Sequence, residues 1–132
     1  MNEHIKQAKE FLTDCKAKMK ITHLGKEINK LWNEKHFRDT YRVTITTPLG
    51  TMWVKFWNSI EATRWGNQPT EYDILACLQK YDVGTFEDFV KEFGYDYENP
   101  NSKRIYKAVV KEYESICRCF TEEQIEAMSE IW

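Results

Sequence analysis

The sequence predicts an α+β domain: a three-stranded antiparallel sheet with an N-terminal helix and a C-terminal set of about four helices. Three observations favour it. The chain begins with apolar residues at helical spacing, continues with segments that alternate apolar and polar side chains, and ends with repeated helix-capping motifs. At 132 residues and without internal repeats, we expect residues 1–132 to form a single domain.

The N-terminal helix is predicted over residues 3–15, where apolar side chains recur every three or four residues and would share one face. These side chains are Ile5, Ala8, Phe11, Leu12 and Cys15.

The first strand is predicted over residues 18–24, where Met19 and Ile21 alternate with lysines. We expect Gly25 to end it in a turn. Residues 26–40 are mostly polar and fit either a loop or a bent continuation of the strand.

A β-hairpin is the clearest element of the sequence. Residues 41–46 and 51–57 both alternate, and Thr47-Pro48-Leu49-Gly50 between them is a turn signal, with Pro at its second position and Gly at its fourth. The alternation places Met52, Val54 and Phe56 on one face of the returning strand, and Trp53, Lys55 and Trp57 on the other.

Four helices are predicted in the C-terminal half, beginning at Thr70, Thr85, Ser102 and Thr121. At three of the starts, Thr is followed three residues later by Asp or Gln. This is the capping-box pattern, in which two side chains satisfy each other's backbone N–H groups. The third helix is the longest, with these residues predicted to face inward: Ile105, Tyr106, Val109, Val110, Tyr113, Ile116 and Cys117.

The composition indicates a protein of the cytoplasm. No apolar run reaches the length of a membrane span, and the first residues lack the apolar core of a signal peptide. The four cysteines are expected to be reduced and mostly buried, since Cys117-Arg118-Cys119 is too tightly spaced for zinc and no histidine lies close by in sequence. We expect neither a metal nor a cofactor.

Catalytic patterns are missing from the sequence. It contains no nucleophile paired with a base, no phosphate-binding glycine loop and no carboxylate pair beside a histidine. We therefore expect a protein that is not an enzyme and acts by binding.

Charge is distributed unevenly. Residues 1–60 contain 11 Lys and Arg against 6 Asp and Glu, a net charge of +5, while residues 61–132 contain 8 against 15, a net charge of −7. The two halves together give −2. A basic half suits nucleic acid or an acidic partner, and an acidic half suits a basic groove. Two solvated faces of one domain would explain the asymmetry equally well.

Two candidate binding surfaces follow. The first is acidic and could mimic a nucleic-acid backbone in a nuclease groove: Asp82, Glu87, Asp88, Glu92, Asp96 and Glu98. The second is a sheet face on which aromatic rings lie beside cations and could stack bases: Arg42, Trp53, Lys55 and Trp57. For this second face we expect structural packing, with the N-terminal helix covering it, and binding to protein or nucleic acid remains the alternative.

Several segments resemble a family of small proteins from phages and prophages of gut Firmicutes. They include residues 40–50 (Thr-Tyr-Arg-Val-Thr-Ile-Thr-Thr-Pro-Leu-Gly), 54–56, 72–78, 81–96, 105–109 and 121–124, and the resemblance extends over about residues 17–131. Val83 and residues 64–69 depart from that pattern.

This resemblance implies a phage accessory protein in a bacterial host cell, similar in build to inhibitors of host defence. The resulting hypothesis is an anti-CRISPR protein that binds a Cas effector nuclease and blocks its nucleic-acid groove with the acidic surface. The alternative is a nucleic-acid or nucleotide-binding module that uses the Trp/Lys/Arg sheet face.

Overall fold

The computed structural model of the chain describes residues 3–29, 35–78 and 84–131. It confirms the α+β fold: a helix, three strands and then a series of helices. The elements are α1 (Glu3–Asp14), β1 (Lys18–Ile28), β2 (Phe37–Thr47), β3 (Gly50–Trp57), α2 (Ile60–Trp65), α3 (Glu71–Leu78), α4 (Phe86–Phe93), α5 (Pro100–Cys119) and α6 (Glu122–Ser129).

The sheet is antiparallel in the order β1-β2-β3. The predicted hairpin turn is confirmed, because Thr47 pairs with Gly50 across it. The turn predicted at Gly25 is wrong. The ladder between β1 and β2 instead shifts register between His23 and Gly25, and β1 continues to Ile28. This bulge accommodates an extra residue, and Gly25 adopts a φ of +105°, which a side chain would disfavour.

One face of the sheet supports the main hydrophobic core. Val43 and Ile45 of β2 are fully buried there and cluster with Met52 of β3. The helical layer covers them with Ala8, Phe11, Leu12, Ile74, Leu75, Leu78, Ile116, Cys119, Phe120 and Met128. The helices that supply these side chains therefore all lie on the same side of the sheet.

A second, smaller core joins α4 to the first half of α5. Phe89 and Val90 pack there with Ile105, and the ring of Tyr106 lies 5.4 Å from that of Phe89. The Tyr106 hydroxyl donates a hydrogen bond of 2.6 Å to the carbonyl oxygen of Gly84, just before α4. These contacts hold α4 against α5 as a small separate unit.

Helix starts follow the capping signals. Thr70 and Asp73 bond each other's backbone N–H groups, at 2.8 and 3.3 Å, and Thr121 forms a complete capping box with Gln124. The third predicted helix, α5, begins at Pro100, two residues before the predicted start at Ser102. The Asn99 side chain caps it, and Pro is favourable in the first helical turn, where its missing N–H costs nothing.

Helix α2 was not predicted. It begins after Ser59, whose side chain accepts a hydrogen bond from the N–H of Ala62, and ends at Gly66 in the left-handed region. None of its residues is buried, so it lacks the inward apolar stripe on which the helix predictions depended.

The cysteine prediction is half right. Cys15 and Cys119 are buried in the main core, where burial raises the pKa of both thiols, whereas Cys77 and Cys117 are exposed. Cys117 was predicted to face inward, but Ile116 and Cys119 point to the core, three residues apart on α5. Within the described residues, no helix combines the length and apolar character needed to cross a membrane.

Candidate functional site

The face of the sheet opposite the main core, here called the open face, carries the candidate site. Neighbouring residues across an antiparallel ladder project to the same side, so register defines its membership. Its rows are Lys18–Thr46–Thr51, Lys20–Thr44–Trp53 and Thr22–Arg42–Lys55, followed by Thr40 beside Trp57.

The expectation that α1 would cover this face is wrong. Helix α1 packs against the other side through Ala8, Phe11 and Leu12, where the apolar side chains of β2 and β3 point. Trp53 is therefore 57% exposed, and Trp57 is half-buried. A sheet with one apolar and one polar face needs only one helical layer, which explains the result.

The open face is strongly basic. Among the described residues it holds five cations, Lys18, Lys20, Arg38, Arg42 and Lys55, against a single carboxylate, Glu27. Much of the excess of Lys and Arg over Asp and Glu in residues 1–60 therefore lies on this one face. Such a surface attracts polyanions at long range and at low ionic strength.

The four sheet residues predicted as a site are brought together. The Arg42 guanidinium carbon lies 4.5 Å from the centre of the Trp53 ring, and the Lys55 nitrogen lies 5.0 Å from that of Trp57. Exposed cation–π contacts contribute about 0.5–1 kcal/mol each. They hold the cations beside the rings, so charge and aromatic surface are presented together.

A hydrogen-bonded bridge crosses the open face beside Trp57. The Lys55 ammonium donates to Oε1 of Glu27 at 2.5 Å, and the Thr40 hydroxyl donates to Oε2 at 3.1 Å. The bond from Lys55 is the main cause that lowers the pKa of the Glu27 carboxyl below its ordinary value. Lys55 of β3 and Thr40 of β2 thus form a small anion site, which the carboxylate of Glu27 from β1 occupies.

Sequence reasoning missed part of this surface. Lys18 and Lys20 were not predicted as part of the site. They alternate with apolar residues in the first strand, and the strand register then places them on the same face as Trp53. Glu27 and Arg38 were missed because Gly25 was expected to end the strand, and both residues lie beyond it.

The acidic surface is less uniform than predicted. Asp82 lies outside the described residues, and the other five carboxylates, Glu87, Asp88, Glu92, Asp96 and Glu98, are exposed on α4 and the turn after it. The carboxylate of Asp88 lies beside Gly84, just before α4. Its Oδ2 is so close that the Cβ of any side chain at position 84 would be only 3.2 Å away. Asp96 accepts a hydrogen bond from the N–H of Glu98 at 3.0 Å.

Asp96 therefore has a local structural role and the Asp88 side chain lies beside Gly84, while Glu87, Glu92 and Glu98 extend into solvent. Exposed Lys91 and Lys103 lie in the same region, and Lys103 lines a shallow groove together with Glu87. The acidic surface is thus interrupted by cations, whereas Glu27 is the one carboxylate on the open face as far as the described residues extend.

A polar junction attaches α2 to the sheet. Asp39 Oδ1 lies 3.1 Å from Nε2 of His23, and its backbone N–H donates a 3.0 Å hydrogen bond to the Thr63 hydroxyl. The Asn58 N–H donates to the Asp39 carbonyl at 2.9 Å. The junction lies near the start of β2, beside the end of β3, where it orders the chain between β3 and α2.

No metal site is apparent in the described ranges, where no three His, Cys, Asp or Glu side chains come together.

Comparison of the chain with protein-family models, curated proteins and solved structures found no match.

Proposed function

We propose that this protein binds nucleic acid through the open face of its sheet and is not an enzyme. One observation carries the proposal: in the described part of the chain, five cations and the exposed ring of Trp53 occupy a sheet face that the helical layer leaves uncovered. Cations supply affinity for phosphates, and aromatic rings supply surfaces on which bases stack. The charge ratio on this face favours a polyanion over a neutral partner.

A salt titration tests the proposal. Binding of fluorescently labelled DNA and RNA is measured by anisotropy from low to physiological salt, for the wild type and for the double variant Lys18→Gln/Lys20→Gln. Each lost phosphate contact with a single strand reduces the slope of log K against log salt by about 0.7, so the variant should lose about 1.4.

The matched control is Lys107→Gln/Lys111→Gln, which removes the same charge from exposed positions on α5. Its salt slope should equal that of the wild type. If the two double variants weaken binding equally, or if the wild type binds no nucleic acid at low salt, the open face is not a nucleic-acid site.

Inhibition of a bacterial defence system is the second candidate function, with a Cas effector nuclease as the proposed target. It is supported by the exposure of Glu87, Glu92 and Glu98 around α4 and by the resemblance to phage proteins. In this proposal, the carboxylates occupy the basic groove in which the nuclease holds nucleic acid.

Cleavage assays test the second candidate. Cas effector nucleases of gut Firmicutes are assayed on DNA with and without the protein. Reversal of charge in Glu87→Lys/Glu92→Lys should abolish inhibition, whereas Glu126→Lys, an equally exposed position on α6, should preserve it. Cleavage that is unaffected by wild-type protein would contradict this function.

A further inference from the structure

We infer that the ligand of the open face is a single strand, with a base stacked on Trp53; the inference rests on the proposed function. The Arg42 guanidinium lies 4.5 Å from the centre of the Trp53 ring, yet the residue remains 57% exposed. The ring is therefore supported by a cation and still offers a broad surface to a ligand. Such a surface contributes binding free energy only if it meets another flat, apolar group.

Bases in a duplex cannot supply that group. Their faces are covered by neighbouring base pairs, whereas unpaired bases can turn out and stack on aromatic side chains. The major groove of duplex DNA admits a helix or a two-stranded ribbon. Here the exposed surface spans three strands, with the helical layer behind it. A flat surface of this kind suits a single-stranded nucleic acid lying across it, whereas it is too broad to enter the major groove of a duplex.

The spacing of the two open-face tryptophans adds to this argument. Trp53 and Trp57 lie four residues apart on β3, which places them about 13 Å apart at the rise of a strand. Stacked bases are only about 3.4 Å apart. The two rings are therefore too far apart to meet neighbouring stacked bases, and a nucleic-acid single strand that contacts both rings must place further nucleotides between them. Lys55 projects from the same face between the two rings, where its ion pair with Glu27 holds it beside the path of the intervening phosphates.

Three probes of equal length separate stacking from phosphate binding: an oligo-dT of about 12 nucleotides, a range typical of single-strand sites, its duplex with oligo-dA, and an abasic strand that keeps the phosphates. We expect oligo-dT to bind more tightly than either of the others. Trp53→Ala should weaken oligo-dT binding roughly 5- to 150-fold, the contribution of one stacked base. Its binding to the abasic strand and its salt slope should not change.

Two further variants complete the experiment. Trp53→Phe keeps an aromatic ring and should recover part of the lost affinity. Tyr97→Ala removes an aromatic side chain of similar exposure, 55%, that lies outside the open face, and should have no effect. Thermal unfolding of each variant establishes that it is folded.

The possible failures are distinguishable. If oligo-dT, duplex and abasic strand bind equally, or if Trp53→Ala binds oligo-dT like the wild type, the stacking inference is overturned while the proposed function stands. If no probe binds at low salt, the proposed function and the inference are both wrong.

Discussion

Lys55 and Glu27 form an ion pair across the open face, with 2.5 Å between Nζ and Oε1, and thereby connect the two outer strands over the middle one. Thr40 of the middle strand donates to the same carboxylate at 3.1 Å. Two oxygens of one phosphate could accept these two hydrogen bonds in place of the two carboxylate oxygens. Glu27 therefore competes with any phosphate that approaches Lys55, and its removal should strengthen binding.

Glu27→Gln should bind oligo-dT more tightly than the wild type and with a steeper salt dependence. The change removes the only carboxylate among the described residues of the open face and releases Lys55, while the amide oxygen can still accept from Thr40. One added phosphate contact should increase the salt slope by about 0.7. The control Glu126→Gln, on α6, should leave affinity and slope unchanged. An unaltered slope for Glu27→Gln would show that releasing Lys55 from Glu27 adds no phosphate contact, which would contradict the competition between Glu27 and the ligand.

The same ion pair should contribute to stability in a pH-dependent way. The pKa of Glu27 is lowered in the folded protein, chiefly by Lys55, so its contribution is fully present above the unfolded-state pKa. It is lost as pH falls through the folded-state pKa. The difference in unfolding free energy between wild type and Glu27→Gln should be constant above about pH 5 and shrink toward pH 3. Urea unfolding across that range measures it, and a difference that grows on acidification would contradict the assignment.

Periodicity and capping predicted most of the fold because they are local. The turn from Thr47 to Gly50 and the capping box at Thr121 depend on residues within a few positions of one another, and both are confirmed. Gly25 shows the limit of such reasoning. A glycine with positive φ is needed equally by a turn and by a bulge, and only pairing with β2 decides between them.

The open face was predicted in composition but not in exposure. Alternation along β3 correctly grouped Trp53, Lys55 and Trp57, since the two sides of a strand are fixed by the backbone. Which side the helices cover depends on long-range packing. The packing of Phe11 against Phe120, at 6.0 Å between ring centres, is one such contact that no local pattern reveals.

Replacement of Ile45 by Ala should destabilise the protein by about 2–5 kcal/mol, the usual cost of a large cavity in a core. Ile45 is fully buried between the sheet and the helical layer. Its neighbour Thr46 projects from the open face, so Thr46→Ala should change the unfolding free energy by less than about 0.5 kcal/mol. Chemical denaturation compares the two. Equal effects would contradict the assignment of the two faces.

Thiol labelling should divide the four cysteines into two pairs. Cys77 and Cys117 are exposed and should react in the native protein. Cys15 and Cys119 are buried, and burial raises the pKa of each, which reduces the fraction of reactive thiolate. Mass spectrometry after labelling at neutral pH should therefore find two modified thiols without denaturant and four with it. Rapid native labelling of Cys119 would contradict its place in the main core.

Tyr106→Phe should loosen α4 without affecting the sheet. The hydroxyl of Tyr106 donates to the Gly84 carbonyl at 2.6 Å, and α4 packs on α5 in a core separate from the main one. Loss of this hydrogen bond should cost about 1 kcal/mol, so amides in α4 should exchange roughly fivefold faster. Amides of β2, buried in the main core, serve as the internal control and should keep their exchange rates. If amide exchange became equally faster in α4 and β2, then α4 would unfold only together with the sheet, and the separate core between α4 and α5 would not act as an independent unit.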